Sequence, residues 1–113
     1  MHELSVTQSI ISISCQEAER HKANKVKEIK ILVGELSGLI SESIQYYFDI
    51  ASKGTRVEGA KLNIEKVPIR VKCNECGFEA PMDRNSYCCK NCESLNIKIV
   101  KGTEFLIQSL EVE

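Results

Sequence analysis

Five of the six cysteines in this chain fall within one short stretch. Cys73-Asn74-Glu75-Cys76-Gly77 is followed, after a polar segment, by Cys88-Cys89-Lys90-Asn91-Cys92. Two C-x-x-C pairs with the twelve residues 77–88 between them bring four soft thiolates within reach of one tetrahedral centre, the arrangement Zn²⁺ adopts in closed structural sites. Cys88 and Cys89 compete for the third position, and Cys89 makes the regular pair with Cys92. Cys73, Cys76, Cys89 and Cys92 are therefore the expected zinc set, with iron in a rubredoxin-like site as the alternative metal. Gly77 suits a tight knuckle whose backbone amides face sulfur; the second knuckle has Glu93 at that place.

The other chemistry-bearing residues are fewer. His2 has a distinctive address: a terminal amine, the amide that follows it and the Nδ1 of a histidine at position two can chelate one metal in fused rings. That nitrogen set suits Ni²⁺ or Cu²⁺, which favour square-planar or tetragonal geometry. The bulk of His2 should keep Met1 in place, although a histidine at this position is commonly incidental and the spacing alone does not make a site. Cys15 falls on an apolar helix face and reads as a small hydrophobe. His21 lies where it could help cap the negative end of that helix. With only two histidines, and without a phosphate-binding glycine loop, a Gly-x-Ser-x-Gly or an H-E-x-x-H, the chain is expected not to be an enzyme.

These residues need elements to position them. At 113 residues and 42% hydrophobic the chain can build one modest core, and a second part of it would need a staple, which metal supplies. The formal net charge of −1, with both signs mixed along the chain, points to neither nucleic acid nor an anionic membrane as partner. No segment approaches the roughly 20 apolar residues of a membrane span and no signal-like run is present, so a cytoplasmic location, with reduced thiols, is expected.

From Leu4 to about Lys22 a helical period gathers Ser5, Gln8, Ser9, Ser12, Gln16, Glu19 and Arg20 on one side. Leu4, Val6, Ile10, Ile11, Ile13, Cys15 and Ala18 surround the other, with Thr7 and Ser14 in its middle as small residues for close packing. Val26 to Gly34 predicts a strand burying Ile29, Ile31 and Val33, and Gly34 and Gly38 then bracket a loop. A second helix is expected from Ser41, as N-cap, to Gly54, laying Ile44, Tyr47, Phe48 and Ala51 on the same sheet. Ala60, Leu62 and Ile64 alternate as a strand, but Val67, Ile69 and Val71 are out of phase by one residue. That slip, beside Pro68, predicts a bulge or bend where the chain leaves for the cysteines. Ile97 to Val100 and Glu104 to Val112 read as strands around the turn Lys101-Gly102-Thr103, the last presenting Leu106, Leu110 and Val112 on one face. The expected fold is α+β: a small mixed β-sheet with two helices, residues 1–68 and 103–113, plus an inserted zinc-ribbon-like domain built on the four cysteines, residues 69–102.

Met1-His2-Glu3-Leu4-Ser5, Gly34-Glu35-Leu36-Ser37-Gly38, the paired knuckles, Ile99-Val100-Lys101-Gly102-Thr103-Glu104 and Ser109-Leu110-Glu111-Val112-Glu113 together resemble the hydrogenase maturation family HypA/HybF. The likeness spans the whole chain. It implies a nickel metallochaperone that delivers Ni²⁺ to the large-subunit precursor of [NiFe]-hydrogenase, working with the GTPase HypB and carrying a structural Zn²⁺. Residue by residue, it implies Met1 and His2 as nickel ligands with Glu3 in support, and Cys73, Cys76, Cys89 and Cys92 around zinc. In some relatives a carboxylate in the loop after the first strand completes the nickel site; this chain has Ile40 there, with Glu35 and Glu42 nearby. The family's frequent proline after the third zinc cysteine and glycine after the fourth are Lys90 and Glu93 here. The rival expectation is a zinc-ribbon module that binds protein or nucleic acid, with His2 incidental.

Overall fold

The computed structural model describes residues 3–83 and 85–113. Helix α1 (Glu3–Arg20) leads into strand β1 (Val26–Gly34), a short 3-10 turn (Glu35–Ser37) and helix α2 (Ser41–Ala51). Strands β2 (Lys61–Val67), β3 (Arg70–Cys73), β4 (Glu79–Pro81), β5 (Ile97–Lys101) and β6 (Phe105–Val112) follow. They form two three-stranded sheets, ordered β2-β1-β6 and β4-β3-β5. The first is mixed, with β1 parallel to β2 and antiparallel to β6. Parallel neighbours need a crossover, and α2 lies in the one that joins β1 to β2. The second sheet is antiparallel throughout and is inserted between β2 and β6, giving the α+β fold expected from the sequence.

Burial explains the first sheet. Val26, Ile29, Ile31 and Val33 of β1 are fully buried, as central-strand residues flanked on both sides should be. Val6, Thr7, Ile10, Ser14 and Ala18 form the buried stripe of α1, and Ile44 and Phe48 bring α2 into the same core. Helix α2 packs beside α1, through which its stripe joins the sheet's core. The stripe on α1 is narrower than the sequence pattern suggested: Leu4 and Ile13 are exposed, and the small residues Thr7 and Ser14 lie at its centre. The Thr7 hydroxyl donates to the carbonyl of Glu3 at 2.6 Å, whereas the buried Ser14 Oγ has no hydrogen-bond partner among the described residues.

Three expectations are corrected in detail. Residue Ile40, extended at φ −103°, occupies the N-cap of α2 without a side-chain cap bond, so Ser41 is the first helical residue. The helix ends at Ala51, and Gly54 (φ 79°) belongs to the turn beyond it. On β6 the residues that pack on the core are Phe105, Ile107 and Leu110, while Leu106 and Val112 are exposed. The cause is a bulge: Ile31 pairs with Ile107 but Lys30 pairs with Ser109, so Gln108 is skipped and every later side chain changes face.

The phase slip at Pro68 marks the change of sheet. Chain leaves β2 at Val67 and enters β3 at Arg70, with Ile69 buried between them. The return is made by close backbone contact. Gly34 N–H donates to Glu104 O at 2.6 Å and Leu36 N–H to Gly102 O at 2.7 Å. A Cβ on Gly34 would stand 2.2 Å from Gly102 O, and one on Gly102 (φ 109°) 2.8 Å from Ile69 Cα. Both positions require glycine, and together they seat the second sheet on the end of β1.

Candidate metal centre

Each C-x-x-C pair closes in the same way. In the first knuckle Cys73 N–H donates to Phe78 O at 2.8 Å and Gly77 N–H to Cys73 O at 3.0 Å. In the second, Cys89 N–H donates to Ser94 O at 2.8 Å and Glu93 N–H to Cys89 O at 2.9 Å. The turn aims backbone amides at the leading sulfur: Glu75 N–H at 3.3 Å and Cys76 N–H at 3.5 Å from Cys73 Sγ. Around Cys89 Sγ the same places are taken by Asn91 N–H at 3.3 Å and Cys92 N–H at 3.4 Å. Amides pointed at sulfur stabilise a thiolate, so the backbone itself prepares the pair for a cation.

β3 delivers the first knuckle at its end and the second precedes β5, so their pairing in the sheet brings the sulfurs together. The sulfurs of Cys73, Cys76, Cys89 and Cys92 lie within 4.8 Å of one another. Across the knuckles, Cys73 Sγ is 3.6 Å from Cys92 Sγ and Cys76 Sγ is 3.5 Å from Cys89 Sγ. These separations far exceed a disulfide bond of about 2.05 Å. They approach the edge of a thiolate tetrahedron, about 3.8 Å for metal–sulfur bonds of about 2.3 Å. The donor set therefore fits Zn²⁺, and its shell is closed by four sulfurs, leaving no position for a substrate.

Electrostatics agree with that geometry. The Asn91 side-chain amide, 3.6 Å from Cys76 Sγ, and the Phe78 backbone amide lower the Cys76 thiol to about 6. Cys73 is lowered by the Cys76 amide and then by that of Glu75. Cys92 is favoured as a thiolate by the Ser94 amide, but desolvation and the neighbouring sulfurs outweigh it and push its pKa up to about 12. Crowded thiols cannot all ionise by mutual hydrogen bonding, and a divalent cation at their centre removes the conflict.

Sequence reasoning singled out the cysteines but missed the asparagines that brace them. Asn74 donates to the Asn96 side chain at 2.9 Å through Nδ2, and its backbone N–H to Asn96 O at 2.8 Å. Asn96 in turn reaches Glu75 Oε1 at 3.2 Å. Asparagine inside both C-x-x-C pairs was the available signal.

The remaining candidates lie apart. Among the described residues, the four cysteines are the one His, Cys, Asp and Glu group close enough to share an ion. Cys88 is outside it, with its sulfur 3.1 Å from Ser86 Oγ. Cys15 is half-buried against the core of α1, and exposed His21 follows that helix, 3.7 Å from Glu17 Oε2. Glu3 opens α1, Glu35 lies in the 3-10 turn and Glu42 in the first turn of α2. Met1 and His2 lie outside the described residues.

The family model described as hydrogenase/urease nickel incorporation, metallochaperone, hypA, matches residues 1–112. The chain belongs to the HypA family. The hydrogenase maturation factor HypA of Caldanaerobacter subterraneus subsp. tengcongensis is 41% identical over 114 residues that cover all of both chains. That of Dehalococcoides mccartyi (strain 195) is 34% identical, covering all of this chain and 95% of its own. Among solved structures, a HypA solution structure matches with a TM-score of 0.79 and 27% identity, over 100% of this chain and 97% of that one. The solution structure of the Ni metallochaperone HypA from Helicobacter pylori matches at 0.69 and 29% identity, over 99% and 97%.

In this HypA-family chain the second knuckle carries a measurable departure. Gly77 takes φ 79° after the first pair, and Glu93 must take the equivalent left-handed conformation at φ 62°. A side chain there costs about 1–2 kcal/mol relative to glycine. The knuckle keeps its geometry because the Glu93–Cys89 and Cys89–Ser94 backbone bonds hold it. No helix among the described residues is long and apolar enough to cross a membrane.

Proposed function

We propose that this protein is a nickel metallochaperone with two metal sites of opposite character. Met1 and His2, supported by Glu3, hold Ni²⁺ as cargo, and Cys73, Cys76, Cys89 and Cys92 hold a resident structural Zn²⁺. The nickel-binding unit is taken as residues 1–68 and 103–113 and the zinc unit as residues 69–102. The recipient is the large-subunit precursor of [NiFe]-hydrogenase and the working partner the GTPase HypB, in the cytoplasm. The protein binds and hands over an ion without catalysing a reaction of its own.

The observation that carries this reading is the family match, which runs from residue 1 and so includes Met1-His2-Glu3 as well as the knuckles. The chemistry is consistent with it. A cargo site must be selective yet open to replacement of its ligands one at a time by those of an acceptor. The Met1 amine, the His2 amide nitrogen and His2 Nδ1 form a nitrogen donor set of that kind. Metal displacement of the amide proton makes the site more occupied as pH rises. A closed thiolate tetrahedron serves a different purpose: it holds the second sheet and its surface in place.

Isothermal titration of the zinc-loaded chain with Ni²⁺ tests the assignment. About one nickel per chain is expected beyond zinc, abolished by His2→Ala and by one residue added before Met1. Unchanged nickel affinity in both variants refutes the terminal site.

A further inference from the structure

We propose that the charged face of the β4-β3-β5 sheet docks an acidic, extended segment of a partner protein along the edge of β5. In the antiparallel β3–β5 ladder Arg70 stands opposite Lys101 and Lys72 opposite Lys98, and the bulge that skips Val100 between them keeps Lys101 on the face of Lys98. Residues directly opposed on a ladder share a face, and like charges there destabilise the pair. Four cations thus occupy one face of a short ribbon in a chain whose formal net charge is −1.

Their compensation is incomplete. Arg70 is paired with Glu79 at 3.2 Å, and the same carboxylate accepts its Nε–H bond. Lys101 lies in the field of Glu104, whose carboxylate already accepts the Gly102 amide at 2.7 Å. Among the described residues no ion pair is formed by Lys72 or Lys98. Lysines on an edge strand alone would serve to guard that edge against pairing. β3 is the central strand, however, and Arg70 and Lys72 on it have no edge to guard.

The backbone beside the patch is open in the way the proposed partner needs. β5 is an edge strand, and Ile99 and Val100 are exposed on it at 48% and 38%. An added strand would gain main-chain hydrogen bonds there, and its side chains on the charged face would meet the cations. Carboxylates on that face match the charge, and apolar residues on the other match Ile99. A nucleic acid fits less well: the face carries no aromatic residue for base stacking, and Glu79 lies within it.

A blocked, fluorescently labelled peptide alternating glutamate and valine, mixed with the full zinc-loaded chain, provides the probe. Anisotropy should show binding that weakens with salt, that is absent for the glutamine–valine counterpart, and that falls at least about tenfold in Lys98→Glu. Lys98→Glu faces Lys72 and turns a repulsion into an attraction, so zinc content and thermal stability should hold or rise. Loss of binding therefore reports the surface and not the fold. No binding of the glutamate peptide, equal binding of the glutamine peptide, unchanged affinity in Lys98→Glu, or tighter binding of oligouridylate than of the glutamate peptide would each overturn the proposal.

Discussion

The two sheets of this chain are held by different physics. In the first, β1 contributes four fully buried apolar residues, which share one core with Ile10 of α1 and Ile44 and Phe48 of α2. In the second, Cys73 is the sole buried residue among β3, β4 and β5, and Phe78, Leu95, Ile99 and Val100 are exposed. A small sheet with so little burial lacks the hydrophobic gain needed to offset the entropy of ordering it. Its order must come from the cysteine cluster, and the difference teaches why a metal held there would serve the fold.

The comparison is broken most completely by removing zinc. Chelation, or Cys89→Ser, should unfold the region between β2 and β6 while α1, α2 and β1 persist. The contribution lost is on the order of 10 kcal/mol, as for structural zinc in small domains. Amide hydrogen exchange should show protection lost at Cys73 and Ile97 and retained at Ile31. Whole-chain unfolding would show that the first sheet depends on the second. Next in size, Phe48→Ala should destabilise the first region by about 3–5 kcal/mol in chemical denaturation, with zinc content unchanged. Zinc loss from that variant under native conditions would deny the separation. The smallest effect is expected from Glu93→Gly, which relieves the left-handed conformation at φ 62°. It should raise resistance of the zinc site to chelator by about 1 kcal/mol, part of the gain being offset by glycine's greater unfolded-state freedom. A weaker site would mean that the Glu93 side chain is itself a stabilising contact.

Much of this was legible in the residues. Period-two alternation located β1 to its end residues because a central strand buried by its neighbours leaves a strong pattern. The slip at Pro68 located the change of sheet because alternation cannot survive it. What was not legible depended on partners distant in sequence. Skipping of Gln108 is decided by pairing with β1, so Leu106 and Leu110 looked like one face when they are on two. Ile13 looked buried because an apolar side chain does not say how far its neighbour extends, and the partner of Gly34 was hidden in Gly102, far along the chain. In the candidate metal centre the grouping of the four cysteines was legible in their spacing, whereas Asn74, Asn91 and Asn96 act through hydrogen bonds that only the folded knuckles create.

The central claim is that one metal is kept and the other is carried, on separate residues. Native mass spectrometry of the zinc- and nickel-loaded chain under graded chelator challenge tests it most directly. The expected result is a species that loses nickel first and retains zinc, with His2→Ala giving the zinc-only species from the start. Parallel loss of both metals, or nickel replacing zinc on the cysteines while His2→Ala still binds nickel, would contradict it.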